Sequence, residues 1–150
     1  MRNEVKGEEK QRQMFLSLYN NDYEYLFCEI PVFARSVDVV KYNVETNSIT
    51  AIEFKLNDWK RVIKQALDVR ISFDYLEICV LKPKTEKTQR KIIDECERKG
   101  IGLYFYNEFQ MTFEKILEPL KMQEVWGTQK LSIIEYLKKN IFRGKKCLNY

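Results

Sequence analysis

Histidine is absent from the whole chain of 150 residues. That absence excludes Ser-His-Asp and Cys-His nucleophiles, histidine-ligated zinc hydrolysis and histidine as a general base, so any chemistry must run on carboxylates, lysines and tyrosines. Glycine (5) and proline (3) are scarce, too scarce for a linker or a disordered chain. The four cysteines, Cys28, Cys79, Cys96 and Cys147, form no Cys-x-x-Cys pair, which excludes a zinc knuckle or dithiol motif and leads us to expect reduced thiols. No stretch approaches the roughly 20 apolar residues of a membrane span. The opening residues 1–10 are charged from Arg2 onward and lack the apolar run of a signal peptide. The expectation is a soluble, cytoplasmic protein without a membrane partner.

With 45% hydrophobic and 13% aromatic residues the chain can bury one core, and one domain is expected. Its charge is unevenly spread. Residues 121–150 carry seven Lys or Arg against Glu124 and Glu135, whereas the preceding 120 residues are nearly balanced, with 19 basic and 20 acidic side chains. We therefore expect a domain over 1–120 and a basic C-terminal helical extension of it over 121–150. Lys138, Lys139, Arg143, Lys145 and Lys146 form a candidate polyanion contact, and a solvated basic helix fits the same count.

The pattern predicts a helix over 4–20, stopped by Asn20-Asn21-Asp22. Three β-prone runs follow, at Tyr23–Ile30 (closed by Pro31), Ser36–Tyr42 and Ser48–Leu56, and read as an antiparallel meander. A helix is expected over 58–73, capped near Asp58, with an apolar stripe of Trp59, Val62, Ile63, Ala66, Val69 and Phe73. A strand at 76–81, a helix over 86–99 ended by Gly100, a strand at 101–106, an edge strand near 109–113 and a helix over 128–142 complete the order. Because a helical crossover joins parallel strands, the strand at 76 should run parallel to that at 48. The fold class is α/β, a mixed sheet flanked by helices plus a C-terminal helix.

Strand alternation puts Glu53 and Lys55 on one face of what reads as a central strand. Asp38 stands inside Val37-Asp38-Val39-Val40, where a buried hydrophobe is expected, and hairpin pairing brings it within reach of Glu53. Charges in such places are costly unless they pair or serve a site. Two adjacent carboxylates repel unless a cation neutralises them, and an all-oxygen donor set favours Mg²⁺ or Mn²⁺ over zinc. In the bland alternative, Lys55 simply pairs with Glu53 or Asp38 as a structural salt bridge.

Asp38, then Glu53-Phe54-Lys55, on an αβββαβ order resembles the PD-(D/E)XK nuclease superfamily, and the resemblance spans about residues 4–106. It implies a restriction endonuclease-like core, with Asp38, Glu53 and the main-chain carbonyl of Phe54 holding Mg²⁺ (or Mn²⁺). Lys55 would contact the scissile phosphate and the attacking water. A glutamate from the first helix often completes such sites, and Glu9 is the choice here, with Glu8 and Glu4 as neighbours. Gln65-Ala66 resembles the Gln-Ala start of a helix motif in RecB-type and Holliday-junction-resolvase-like members, where the glutamine positions the lysine or the substrate. Val37 stands where the signature has proline, and Val69 where a tyrosine often follows the glutamine.

The expected activity is metal-dependent hydrolysis of DNA phosphodiester bonds, structure-specific in repair, recombination or restriction. Arg61, Lys64 and the C-terminal cations would hold phosphates without reading sequence. Tyr136 and Phe142 suit a homodimer contact. The competing expectation is a catalytically inactive module on the same fold that binds nucleic acid or a protein.

Overall fold

The structure is a computed structural model that describes residues 2–141, with side chains from Gly7 onward. Its elements are α1 (Arg2–Leu18), β1 (Glu24–Val32), β2 (Arg35–Asn43), β3 (Ser48–Lys55), α2 (Trp59–Asp68), a 3₁₀ turn (Arg70–Ser72), β4 (Tyr75–Leu81), α3 (Glu86–Lys99), β5 (Gly102–Asn107), β6 (Thr112–Leu117) and α4 (Gly127–Lys139). The six strands lie in sequence order in a single mixed sheet. β1, β2 and β3 form the antiparallel meander, β3, β4 and β5 run parallel, and β6 returns antiparallel at the far edge.

The parallel steps follow from α2 and α3, whose right-handed crossovers put both helices on one face of the sheet. α1 covers the other face. There the Phe15 ring meets Phe54, Tyr104 and Phe113 edge-on at 5.2–5.3 Å, each contact contributing about 0.5–1.5 kcal/mol beyond burial. α2 supplies Val62, Ile63 and Ala66 to the core, as its 3.6-residue stripe requires. Asp58 caps it, its carboxylate accepting from the Arg61 N–H. Gly100 ends α3 at φ 70°, the left-handed conformation that glycine adopts without strain.

Three elements differ from the sequence expectation. The helix over 58–73 stops at Asp68, because the Val69 N–H turns back to the Ala66 carbonyl and a 3₁₀ turn drops Phe73 and Asp74 into position for β4. Asp74 then fastens the start of β3, its Oδ2 accepting from the Ile49 N–H at 2.9 Å. The edge strand is Thr112–Leu117 rather than 109–113. The Asn107 side chain accepts from the N–H groups of Phe109 and Gln110 and makes those residues a turn, with Phe109 90% exposed at its tip. Pro31 lies inside β1 instead of closing it, which an edge strand tolerates because one side of it needs no ladder donors. Cys79 and Cys96 are buried free thiols, as expected. Arg143, Lys145, Lys146, Phe142 and Cys147 lie outside the described residues, as does the side chain of Glu4.

Among the described residues no helix is long and apolar enough to cross a membrane.

Candidate active site

The β2–β3 ladder is regular from Asn43↔Ser48 to Val39↔Ile52 and then opens. The next backbone pair, Val37 with Phe54, is not made. In its place the Asp38 carboxylate accepts the Phe54 N–H at 2.8 Å. In a strand the N–H and C=O of one residue point to the same side, so the Phe54 carbonyl also faces β2 and Asp38. The register that ends at Val39↔Ile52 puts Asp38 opposite Glu53, bringing the two sequence-predicted carboxylates together.

Glu53 is 2% exposed. Burial, then the charge of Asp38 beside it, pushes its carboxyl up to about 8, against the opposing charge of Arg35. Arg35 is the residue that sequence reasoning missed. The two-residue turn at Phe33-Ala34, with Phe33 at φ 57°, starts β2 so that the Arg35 guanidinium reaches Glu53 Oε1 at 3.1 Å. It also donates to the Gln65 carbonyl at 3.1 Å and lies 3.8 Å from Asp68 on α2. No spacing or periodicity marked this arginine, because its partners are 18 and 30 residues away.

Lys55, at the end of β3, does not take the structural role of pairing with Glu53. Its Nζ lies 3.6 Å from Glu8 Oε1 on α1. A cleft of about 270 Å³ between α1 and the open end of the β2–β3 ladder is lined by Glu8, Glu9, Arg12, Glu29, Asp38 and Phe54. Both helix candidates therefore border Asp38, and Glu8 is the one beside Lys55. Glu29 is a second residue the sequence did not reveal. The β1–β2 register puts it opposite Asp38, at φ 52° in mid-strand, where it pairs with Arg12 at 3.3 Å. A non-glycine residue in that conformation costs on the order of 1 kcal/mol, a strain typical of sites.

Gln65, expected to position the lysine or the substrate, is joined to this cluster through its main-chain carbonyl, which accepts from Arg35. Arg61 and Lys64 are exposed on α2, Lys64 3.6 Å from Asp68. Lys138 and Lys139 are exposed in the last turn of α4. That helix packs on the 3₁₀ turn and is tied by Lys130 to Asp74 at 2.9 Å, at the opposite end of β3 from Lys55. Among the described residues, no group of three or more His, Cys, Asp or Glu side chains is placed to hold a metal ion. The donors on offer are thus the Asp38–Glu53 pair and the Phe54 carbonyl. They fit Mg²⁺ or Mn²⁺, which binds through one or two carboxylates and keeps several waters.

A second buried ionic cluster lies on the α1 face toward the start of β4. Glu77 is fully buried, with Lys41 at 2.7 Å and Lys115 at 3.0 Å. The Lys41 and Lys115 ammonium groups sit 5.3 and 5.2 Å from the ring centres of Tyr19 and Tyr104. Burial alone would lower Lys115, but the Glu77 charge raises it overall.

No family model matches the sequence, and no curated protein matches it. Among solved structures, the chain is similar to the SPO1766 protein of unknown function from Silicibacter pomeroyi, with a TM-score of 0.62 and 13% identity over 91% of this chain and 86% of that one. At that identity the likeness is one of fold alone.

Proposed function

We propose that this protein is a metal-dependent nuclease of the PD-(D/E)XK type, with a restriction endonuclease-like core, that hydrolyses DNA phosphodiester bonds. The observation that carries the reading is the Asp38–Glu53 pair at the opened end of the β2–β3 ladder, with Lys55 two residues on. Holding two carboxylates against each other costs stability unless a proton or a cation offsets the repulsion, which supports a metal ion between them. Asp38, Glu53 and the Phe54 carbonyl would hold Mg²⁺ or Mn²⁺, which supplies Lewis-acid polarisation of the phosphate and a more acidic water when bound.

The chain's own residues do the rest. The Phe54 N–H fixes Asp38, and Arg35 fixes Glu53, so neither carboxylate has to be ordered when substrate arrives. Lys55 places a positive charge where negative charge grows on the phosphoryl oxygens, and Glu8 orients it. Glu9, lining the same cleft, is a further acceptor for the water's proton. Hydrolysis puts the water oxygen on phosphorus, breaks the P–O ester bond and leaves a proton on the departing sugar oxygen. Arg61, Lys64 and the basic C-terminal segment would contact phosphates without reading sequence, and DNA would be the partner of a soluble, cytoplasmic enzyme, as a monomer or a homodimer.

One observation favours a second reading. Arg35 at 3.1 Å already supplies Glu53 with a positive charge, which suits a non-catalytic binding module on the same fold. Incubating labelled DNA with Mg²⁺ or Mn²⁺, with and without chelator, separates the two: metal-dependent cutting supports the nuclease, and DNA binding without cutting in either metal supports the module.

A further inference from the structure

Beside the candidate site, at the carboxyl ends of the parallel strands β3, β4 and β5, lies an open groove of about 450 Å³ that the proposed chemistry does not use. Ligands of open α/β sheets gather at this end of parallel strands. Leu56, the residue after Lys55, forms part of its wall, so the groove begins where the candidate site ends. Its lining is mainly apolar and aromatic, with Trp59, Tyr106 and Phe109. Phe109 is 90% exposed, held at the tip of the β5–β6 turn by the Asn107 side chain, and Lys60 Nζ sits 5.6 Å from the Trp59 ring centre.

We propose that this groove takes unpaired nucleobases of a single-stranded DNA segment adjoining the scissile phosphate, an inference that rests on the nuclease reading. Flat rings with a polar edge match the surface. The exposed Phe109 ring and the half-buried Trp59 ring offer stacking, which every base accepts regardless of sequence, while Tyr106 is buried with its ring stacked on Phe113. Lys82 and Lys84 on the rim suit the flanking phosphates, while Asp58 and Glu108 among them interrupt the continuous positive track that a duplex backbone needs. Charge and shape together select a single strand whose bases turn inward. The enzyme would then act on single-stranded or flapped DNA in preference to an uninterrupted duplex.

The test compares binding of the full chain, in chelator so that no cutting is required, to three labelled probes: a short oligothymidylate, an abasic oligomer of the same length, and a duplex. The oligothymidylate should bind at least about fivefold more tightly than the abasic strand, the low end of what one aromatic–base stack contributes. Phe109→Ala and Trp59→Ala should each narrow that difference. Phe109 is exposed enough that its loss leaves the fold intact, and in a Trp126→Phe background the Trp59 fluorescence should be quenched by oligothymidylate and not by the abasic strand. Equal binding of the base-bearing and abasic strands overturns the proposal, as does tighter binding of the duplex. So does a Phe109→Ala variant that changes the sedimentation of the protein while leaving oligothymidylate binding untouched, since the groove would then be a contact between two copies. Cleavage is scored separately, so failure of base binding and failure of the nuclease reading are told apart.

Discussion

Glu53 gives the sharpest quantitative expectation, because in a chain without histidine no other side chain ordinarily titrates between about pH 5 and 8. Its carboxyl is raised from 4.5 to about 8 by burial and by the neighbouring Asp38. Between those values the folded protein holds a proton that the unfolded chain has released, so stability falls as pH rises through the window and is lowest above about pH 8. At 1.36 kcal/mol per pH unit the full difference is about 5 kcal/mol, or about 10–20 °C in melting temperature for a chain of this size. With no histidine, the stretch from about pH 5 to 8 has little other titration to obscure the slope. Urea denaturation of the wild type across that range should show the decline, and Glu53→Gln should flatten it. Adding Mg²⁺ or Mn²⁺ favours the ionised pair, so it should restore about 2–3 kcal/mol near pH 8 at a hundredfold excess over its dissociation constant and almost nothing near pH 5. A Glu53→Gln protein with the same pH slope as the wild type would refute the reasoning, and a metal effect independent of pH would refute its extension to the metal.

Three further expectations follow from the same geometry. Arg35→Met removes the positive charge that holds the Glu53 carboxyl down, so the acid limb of the pH–rate profile should move up by about 1–3 pH units, and an unmoved limb would mean that Arg35 does not face Glu53 in solution. Lys41→Met leaves buried Glu77 partly uncompensated and should cost about 3–5 kcal/mol in urea denaturation, whereas Lys41→Met, Glu77→Leu and Lys115→Met together should recover most of it. Asp58→Ala should cost about 1 kcal/mol through loss of the cap on α2, and Asp58→Asn much less, since asparagine also caps and tolerates the φ of 53° found there.

The mixed sheet was legible because its evidence is local. Alternating runs made β1–β3, and the apolar stripe of Val62, Ile63 and Ala66 required a crossover helix and therefore parallel strands. α3 falls on its expected limits, 86–99, because Thr85 caps one end and Gly100 the other. The β6 error arose at Phe109, whose aromatic ring reads as strand while the Asn107 side chain beside it dictates a turn. At the site, Asp38 and Glu53 stood out as charges inside apolar strands, and the register joined them. Arg35, Glu29 and Glu77 did not stand out, because their meaning lies in partners on other strands: Glu77 reads as one acid in an apolar run until Lys41 and Lys115 close on it from both sides. Lys55 was found but its partner was not, since the choice between Glu8 and Glu9 depends on the rotation of α1, which Gln11 fixes by donating to the Cys79 carbonyl at 3.3 Å.

The most direct test of the central claim is cleavage of one fluorescent DNA panel, supercoiled, linear, single-stranded and four-way junction, by wild type and Lys55→Ala in Mg²⁺ and in Mn²⁺. The account predicts cutting that chelator abolishes and that Lys55→Ala slows about 10²–10³-fold, the usual loss for a group that stabilises transition-state charge. Wild-type protein that cuts none of these forms in either metal, or a Lys55→Ala variant that cuts as fast as the wild type, would contradict it.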